Sequence, residues 1–122
     1  MLFYDRDILS ESSKFGGIKV LYSMDVEGGS SAKKQLKAAE KNIVSIRDEV
    51  AAKYAEFHNT SDWGSGRPKI TKDQMVAAMV INSMGASPDR VTVYFEDGGH
   101  FGGHSIEVRI KDGKKVEDGL SG

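Results

Sequence analysis

The sequence predicts an α+β domain: an antiparallel sheet of four to five strands with one long and one short helix packed on one face. Three observations predict it. A tract from Ala32 to about His58 repeats its apolar residues at intervals of three and four. Two C-terminal stretches, VTVYFE and SIEVRI, alternate apolar and polar residues as half-buried strands do. Helical and strand tracts are segregated along the chain, so an antiparallel sheet with helices on one side covers every apolar stripe at once.

The elements follow in order. LFYDRDIL, residues 2–9, has a strand-like composition, and SESSKFGG after it reads as a turn. In IKVLYSMDV, residues 18–26, Ile18, Val20, Tyr22 and Met24 share one face, and the two segments are expected to pair as a hairpin. Ser30 or Ser31 can cap the long helix. Leu36, Ala39, Ile43, Ile46, Val50, Tyr54 and Phe57 form its apolar stripe, and Lys33, Lys37, Lys41, Glu49, Lys53 and Glu56 its solvated side. NTSDWGSGRP, residues 59–68, is a loop. Thr71 and Gln74 have capping-box spacing and open a short helix over about 71–83, with Gly85 ending it. ASPDR is a turn between that helix and the strand at 91–96. In SIEVRI, Ile106, Val108 and Ile110 oppose Ser105, Glu107 and Arg109. Asp112-Gly113 is a two-residue hairpin turn, because both positions need positive φ. The C-terminal third is thus a three-stranded antiparallel meander. No repeat or linker interrupts the chain, and 1–122 reads as a single α+β domain.

Composition narrows the function. With 17 basic and 18 acidic side chains the net charge is −1, and no dense Lys/Arg run exists, so no nucleic-acid partner is expected. The absence of cysteine removes disulfides, thiolate chemistry and Cys-ligated metals. The N-terminus lacks the pattern of a secretory leader. The longest apolar run, Met75–Ile81, falls far short of the roughly 20 residues that cross a bilayer. The expectation is a cytoplasmic protein with no membrane partner and no cofactor.

The stretch EDGGHFGGHSIEV, 96–108, is the main site candidate. Four glycines surround His100, Phe101 and His104, which suits a bulged loop between two strands. Asp97, His100 and His104 are one carboxylate and two imidazoles, a ligand set for zinc or a similar ion. On extended chain the two histidines would lie roughly 13 Å apart, so a metal requires the loop to fold back. The glycines fit no phosphate-loop pattern, and a strand, not a helix, follows them. His104 and Ser105 point to opposite faces of a strand and form no dyad. The plainer expectation gives His104 a backbone carbonyl as partner and makes Phe101 a plug into the core. Trp63 is expected to bury its ring, or else to contribute to a binding surface.

The second half resembles a family of small bacterial cytosolic domains of unknown function. The resemblance runs over residues 31–122. It rests on Asn59, Trp63, Ile70, Thr71, Met75 and Asp97, and above all on the string Phe101, Gly103, His104, Ser105, Ile106. Met75 replaces a common phenylalanine, and Gly98-Gly99-His100 is richer in glycine than the pattern. The resemblance implies an accessory role of the immunity or partner-binding type, and no catalytic residues. The expected function is therefore a non-enzymatic binding protein, with Trp63, Asp97, His100, Phe101 and His104 as binding residues and another protein as partner. The alternatives are a metal- or His-dependent enzyme using the 97–104 loop, and a homodimer or larger module pairing through an edge strand at 91–96 or 114–120.

Overall fold

One long helix organises the chain. The computed structural model describes residues 3–4, 14–19 and 25–122. Helix α1, Gly29–Thr60, runs 32 residues, about 48 Å at helical rise. Leu36, Ala39, Ile43, Ile46, Val50 and Tyr54 are buried along it, as their spacing predicts. The next buried position is His58, 1% exposed, and not Phe57, 41% exposed. The reason is geometric: Ile46, Val50, Tyr54 and His58 lie four apart, one row on the helix surface. The cap also differs from expectation. Gly28 stands at the cap position with no side-chain bond, and Ser30 and Ser31 lie inside the helix. A Cβ at Gly28 would fall 2.4 Å from the Pro88 ring, so the helix start is fixed by close packing on a loop and not by a hydroxyl.

The strands are β1 (Phe3–Tyr4), β2 (Lys14–Phe15), β3 (Ile18–Lys19), β4 (Asp25–Val26), β5 (Ile81–Ala86), β6 (Val91–Phe95), β7 (Ser105–Lys111) and β8 (Lys114–Ser121). Strands β5 to β8 form an antiparallel meander, and β4 joins β5 in parallel with β1 outside it, giving the order β1-β4-β5-β6-β7-β8. The expected pairing of the two N-terminal segments survives as Phe3↔Val26 and Tyr4↔Asp25. The rest of that hairpin, 5–13 and 20–24, lies outside the described residues. Lys14–Phe15, expected in a turn, instead pairs with Ile18–Lys19 as a small ribbon that buries Phe15 and Ile18.

The short helix α2, Lys72–Ala78, begins with both halves of the capping box: Gln74 N–H donates to Thr71 Oγ1 (3.1 Å) and Thr71 N–H to Gln74 Oε1 (2.8 Å). It stops at Ala78, short of the expected 83, and Ile81–Ala86 is a strand. Periodicity cannot separate helix from buried strand in the run Met79-Val80-Ile81. Pairing decides it, because β5 has β4 on one side and β6 on the other. Gly85, expected to end the helix, lies inside β5 opposite Thr92. Helix α2 packs against α1.

Val91, Val93 and Phe95 of β6 and Ile106, Val108 and Ile110 of β7 face α1, all fully buried, and the register pairs them as Val91↔Ile110, Val93↔Val108 and Phe95↔Ile106. The other sheet face is polar, and no helix among the described residues covers it. There Arg109 bridges Glu107 (3.0 Å) and Glu117 (2.6 Å), and a hydrogen bond to Glu107 pushes the Tyr94 hydroxyl above its ordinary pKa. Strand 91–96 is not an edge, because β6 is bonded on both sides; that correction removes it as a pairing surface. Strand β8 is an edge. It carries a register shift beside the exposed Val116 and the charges Lys114, Lys115, Glu117 and Asp118, devices by which edges resist pairing.

Two polar clamps fix the meander to α1. Asp112 and Gly113 take φ of 51° and 80°, the geometry of the predicted tight turn. Gln35 exchanges two hydrogen bonds with Asp112, and Asn42 Nδ2 donates to Gly113 O (2.7 Å). Further along, Asp118 of β8 accepts from Lys53 (2.6 Å), Lys115 (2.7 Å) and the Tyr54 hydroxyl (3.1 Å), with its side chain 2% exposed. Burial alone would raise this carboxyl; the three donors outweigh it and hold it below its ordinary value. Burial and the Asp118 charge push the Tyr54 hydroxyl well up.

A depressed folded-state pKa contributes stability above the unfolded value of 3.8, and this is lost as pH falls through the folded value. Asp118→Asn should cost about 1–3 kcal/mol at neutral pH. Urea unfolding of the two proteins should show midpoints that differ fully at pH 7 and converge below pH 3.8.

Candidate functional site

The 97–104 loop connects β6 to β7, and the 59–68 loop leaves the end of α1 beside it. Asp97 sits at the centre of the first loop, 2% exposed. Its Oδ1 accepts the N–H of Gly99 (2.8 Å), and its Oδ2 those of Phe101 (3.1 Å) and Gly103 (3.0 Å). Backbone N–H groups converge this way only if the chain coils around the carboxylate. Gly98, Gly99, Gly102 and Gly103, with φ between 63° and 82°, supply that coiling, in a region that residues with a Cβ rarely enter. The four glycines and the aspartate are one device.

The device holds Phe101 inward. Phe101 is fully buried, stacked on Phe57 (5.9 Å between centroids, 11° between planes) and met edge-on by Tyr54, His58 and Trp63 at 5.7–5.8 Å. Trp63 lies on a short 3₁₀ turn, Asp62–Gly64, which Ser61 caps through the Trp63 N–H. Its ring also meets His104 (5.5 Å). His104 Nδ1 donates to the Phe101 carbonyl. Trp63, Asp97, Phe101 and His104 are thus brought together, with most of their polar atoms engaged inside the loops.

His100 goes elsewhere. Its ring stands edge-on to His58, 5.6 Å between centroids, whereas the His104 ring meets Trp63. Asp97, His100 and His104 do not converge on one point, and among the described residues no group of three or more His, Cys, Asp or Glu is placed to hold a metal ion.

His58 and Arg67 are the site residues that sequence reading passed over. His58 had a signal: it continues the row Val50, Tyr54. Asn59 donates from Nδ2 to Ile70 O (2.8 Å) and accepts the Ile70 N–H at Oδ1 (2.9 Å), which fixes the orientation of its amide. His58 Nδ1, 3.0 Å from that same Oδ1, must therefore carry the proton. With the tautomer proton on Nδ1, Nε2 is the ring's acceptor nitrogen, and it is buried with no hydrogen-bond partner. His58 and His100 line an open cleft of about 450 Å³ together with Arg67, Lys69, Ile70 and Gln74. Arg67 Nη1 makes two long contacts, 3.4 Å, to the carbonyls of Gly99 and His100, and so ties one loop to the other.

Comparison with protein-family models, with curated proteins and with solved structures finds no match to this chain. No helix among the described residues is long and apolar enough to cross a membrane.

Asp97→Asn should cost about 3–5 kcal/mol, because an amide cannot accept three converging N–H groups and turns a donor toward at least one of them. Phe101→Ala should cost a similar 3–5 kcal/mol. His100→Ala, at a partly buried ring on the loop surface, should stay within about 0.5 kcal/mol. Chemical denaturation of the three variants tests the order.

Proposed function

We propose that this chain is a non-enzymatic binding protein that holds another protein at the rim formed by the 59–68 loop, the 97–104 loop and the adjoining polar sheet face. The observation that carries the reading is the saturation of Asp97. A buried carboxylate that accepts three backbone N–H groups is committed to holding its own loop, and any other ligand would have to displace them, while the neighbouring His104 is turned onto a backbone carbonyl. What the rim does offer is a rigid shape with Arg67 and Lys69 exposed on it. Loops pinned from within recognise a partner without an ordering cost, which favours binding. In its specific form the proposal is an immunity-type protein that occludes a toxin, as the resemblance of the second half implies. A net charge of −1 makes a strongly basic nuclease a poor match for such a partner.

The test is site-specific photocrosslinking in the native host. A crosslinking residue at Lys69 or Ser65, both exposed on the rim, should capture one protein in common. The same residue at Lys33 or Lys41, on the exposed side of α1, should not. Equal capture at all four positions, or none at the rim, would sink the proposal.

A further inference from the structure

We infer that the cleft between His58 and Arg67 takes the free C-terminus of a peptide chain that ends in an apolar residue. The inference rests on the binding-protein reading and names the chemical form of the partner at one point of the rim. Three features of the cleft select the ligand. Arg67 and Lys69 bring two full positive charges to it, and no carboxylate is among the residues that line it. An anionic group is the complement. Ile70, Pro68 and Ala77 give it an apolar floor, which takes a hydrocarbon side chain. His58 contributes a buried ring nitrogen with a lone pair and no donor facing it, an arrangement that disfavours the empty cleft. A hydrogen-bond donor on the ligand removes that penalty.

A terminal carboxylate, the side chain of the last residue and the last backbone N–H lie within one residue of each other. They satisfy the cations, the floor and the lone pair together. A simple inorganic anion meets only the first demand. A fatty-acid carboxylate meets the first two and leaves the nitrogen unpartnered. Capture of a chain terminus by fixed donors is a recurrent recognition mode.

Access to the nitrogen has a cost in motion. The His58 ring is 1% exposed, and the partly buried His100 ring stands against it. His100 must turn aside for the ligand N–H to reach Nε2, a side-chain rotation that needs no backbone change. His100 is thus a gate to the nitrogen and not a ligand of the peptide.

The experiment is an NMR titration of the whole chain with three probes, observing the ring resonances of His58 and His100. N-acetylglycyl-leucine should shift both saturably, with a dissociation constant of about a millimolar, as expected for so small a ligand. Its C-terminal amide, which lacks the charge, should bind at least tenfold more weakly. 4-Methylpentanoate keeps the carboxylate and the hydrocarbon but lacks the N–H. It should bind several-fold more weakly and leave the His58 Nε2 resonance unmoved. Arg67→Ala, at an exposed position, should fold normally and lose the preference for acid over amide. His100→Ala should bind the acid at least as well as the unaltered protein. Equal shifts by acid and amide, movement of Nε2 by 4-methylpentanoate alone, loss of binding in His100→Ala, or no response of His58 to any probe would each overturn the inference. None of these outcomes touches the rim crosslinks, so the cleft can fail while the binding-protein reading stands.

Discussion

A single buried carboxylate sets the geometry of the whole β6–β7 connection. Left alone in a low-dielectric interior, Asp97 would carry a desolvation penalty of several kcal/mol. Three N–H groups from its own loop offset that penalty, and they can reach it only because the chain coils through two pairs of glycines. The constraint works in both directions. The charge dictates the coil, and the coil dictates where Phe101 must point. Remove the carboxylate and three buried N–H groups lose their acceptor; remove the glycines and the N–H groups cannot converge.

Phe101 transmits that constraint to the rest of the molecule. Its ring is touched by Tyr54, Phe57 and His58 from the last turns of α1 and by Trp63 from the following loop. Tyr54 in turn donates to Asp118 on the outer strand. A continuous path of packed groups therefore runs from the β6–β7 loop through the helix to the sheet edge. Edge-to-face and stacked aromatic contacts of this kind add about 0.5–1.5 kcal/mol each to the area they bury. Their larger effect is positional, since a ring held on four sides gives the loop above it one place to sit.

The sequence carried the elements well and their limits poorly. The buried row of α1, the capping box at Thr71, the alternation in β6 and β7 and the Asp112-Gly113 turn are local patterns with a mechanical meaning, and each occurs where its pattern lies. The failures have a common cause. Where α2 ends, that 81–86 is a strand, that β6 is interior, and that the helix start needs Gly28 for Pro88, all depend on residues far away in sequence. The site divides the same way. Phe101 between glycine pairs could be read as a plug from its setting. Asp97 could be suspected, but its role as acceptor is a property of the coiled loop. That His58 would meet His100 was hidden, because 41 intervening residues, counted from position 59 to 99, say nothing of how α1 lies against the β6–β7 loop.

One acid–base group lies inside the β6–β7 loop and another packs against it from α1, and their circumstances are opposite. Asp97 has both oxygens engaged by backbone donors of its own loop, and such a group is structural: drawing it onto another ligand would break bonds already made. His58 has one nitrogen committed to Asn59 and the other facing no donor, though the residue is as deeply buried. The fold could have avoided this by placing an aliphatic residue at the row position that Ile46, Val50 and Tyr54 lead up to. An imidazole there fixes Asn59, which in turn pins Ile70 and the start of α2, so half of the ring has a structural account. The other half has none among the described residues. Rigid, saturated groups such as Asp97 make a rim that keeps its shape, and the unsatisfied nitrogen beside them is where a ligand gains most by arriving.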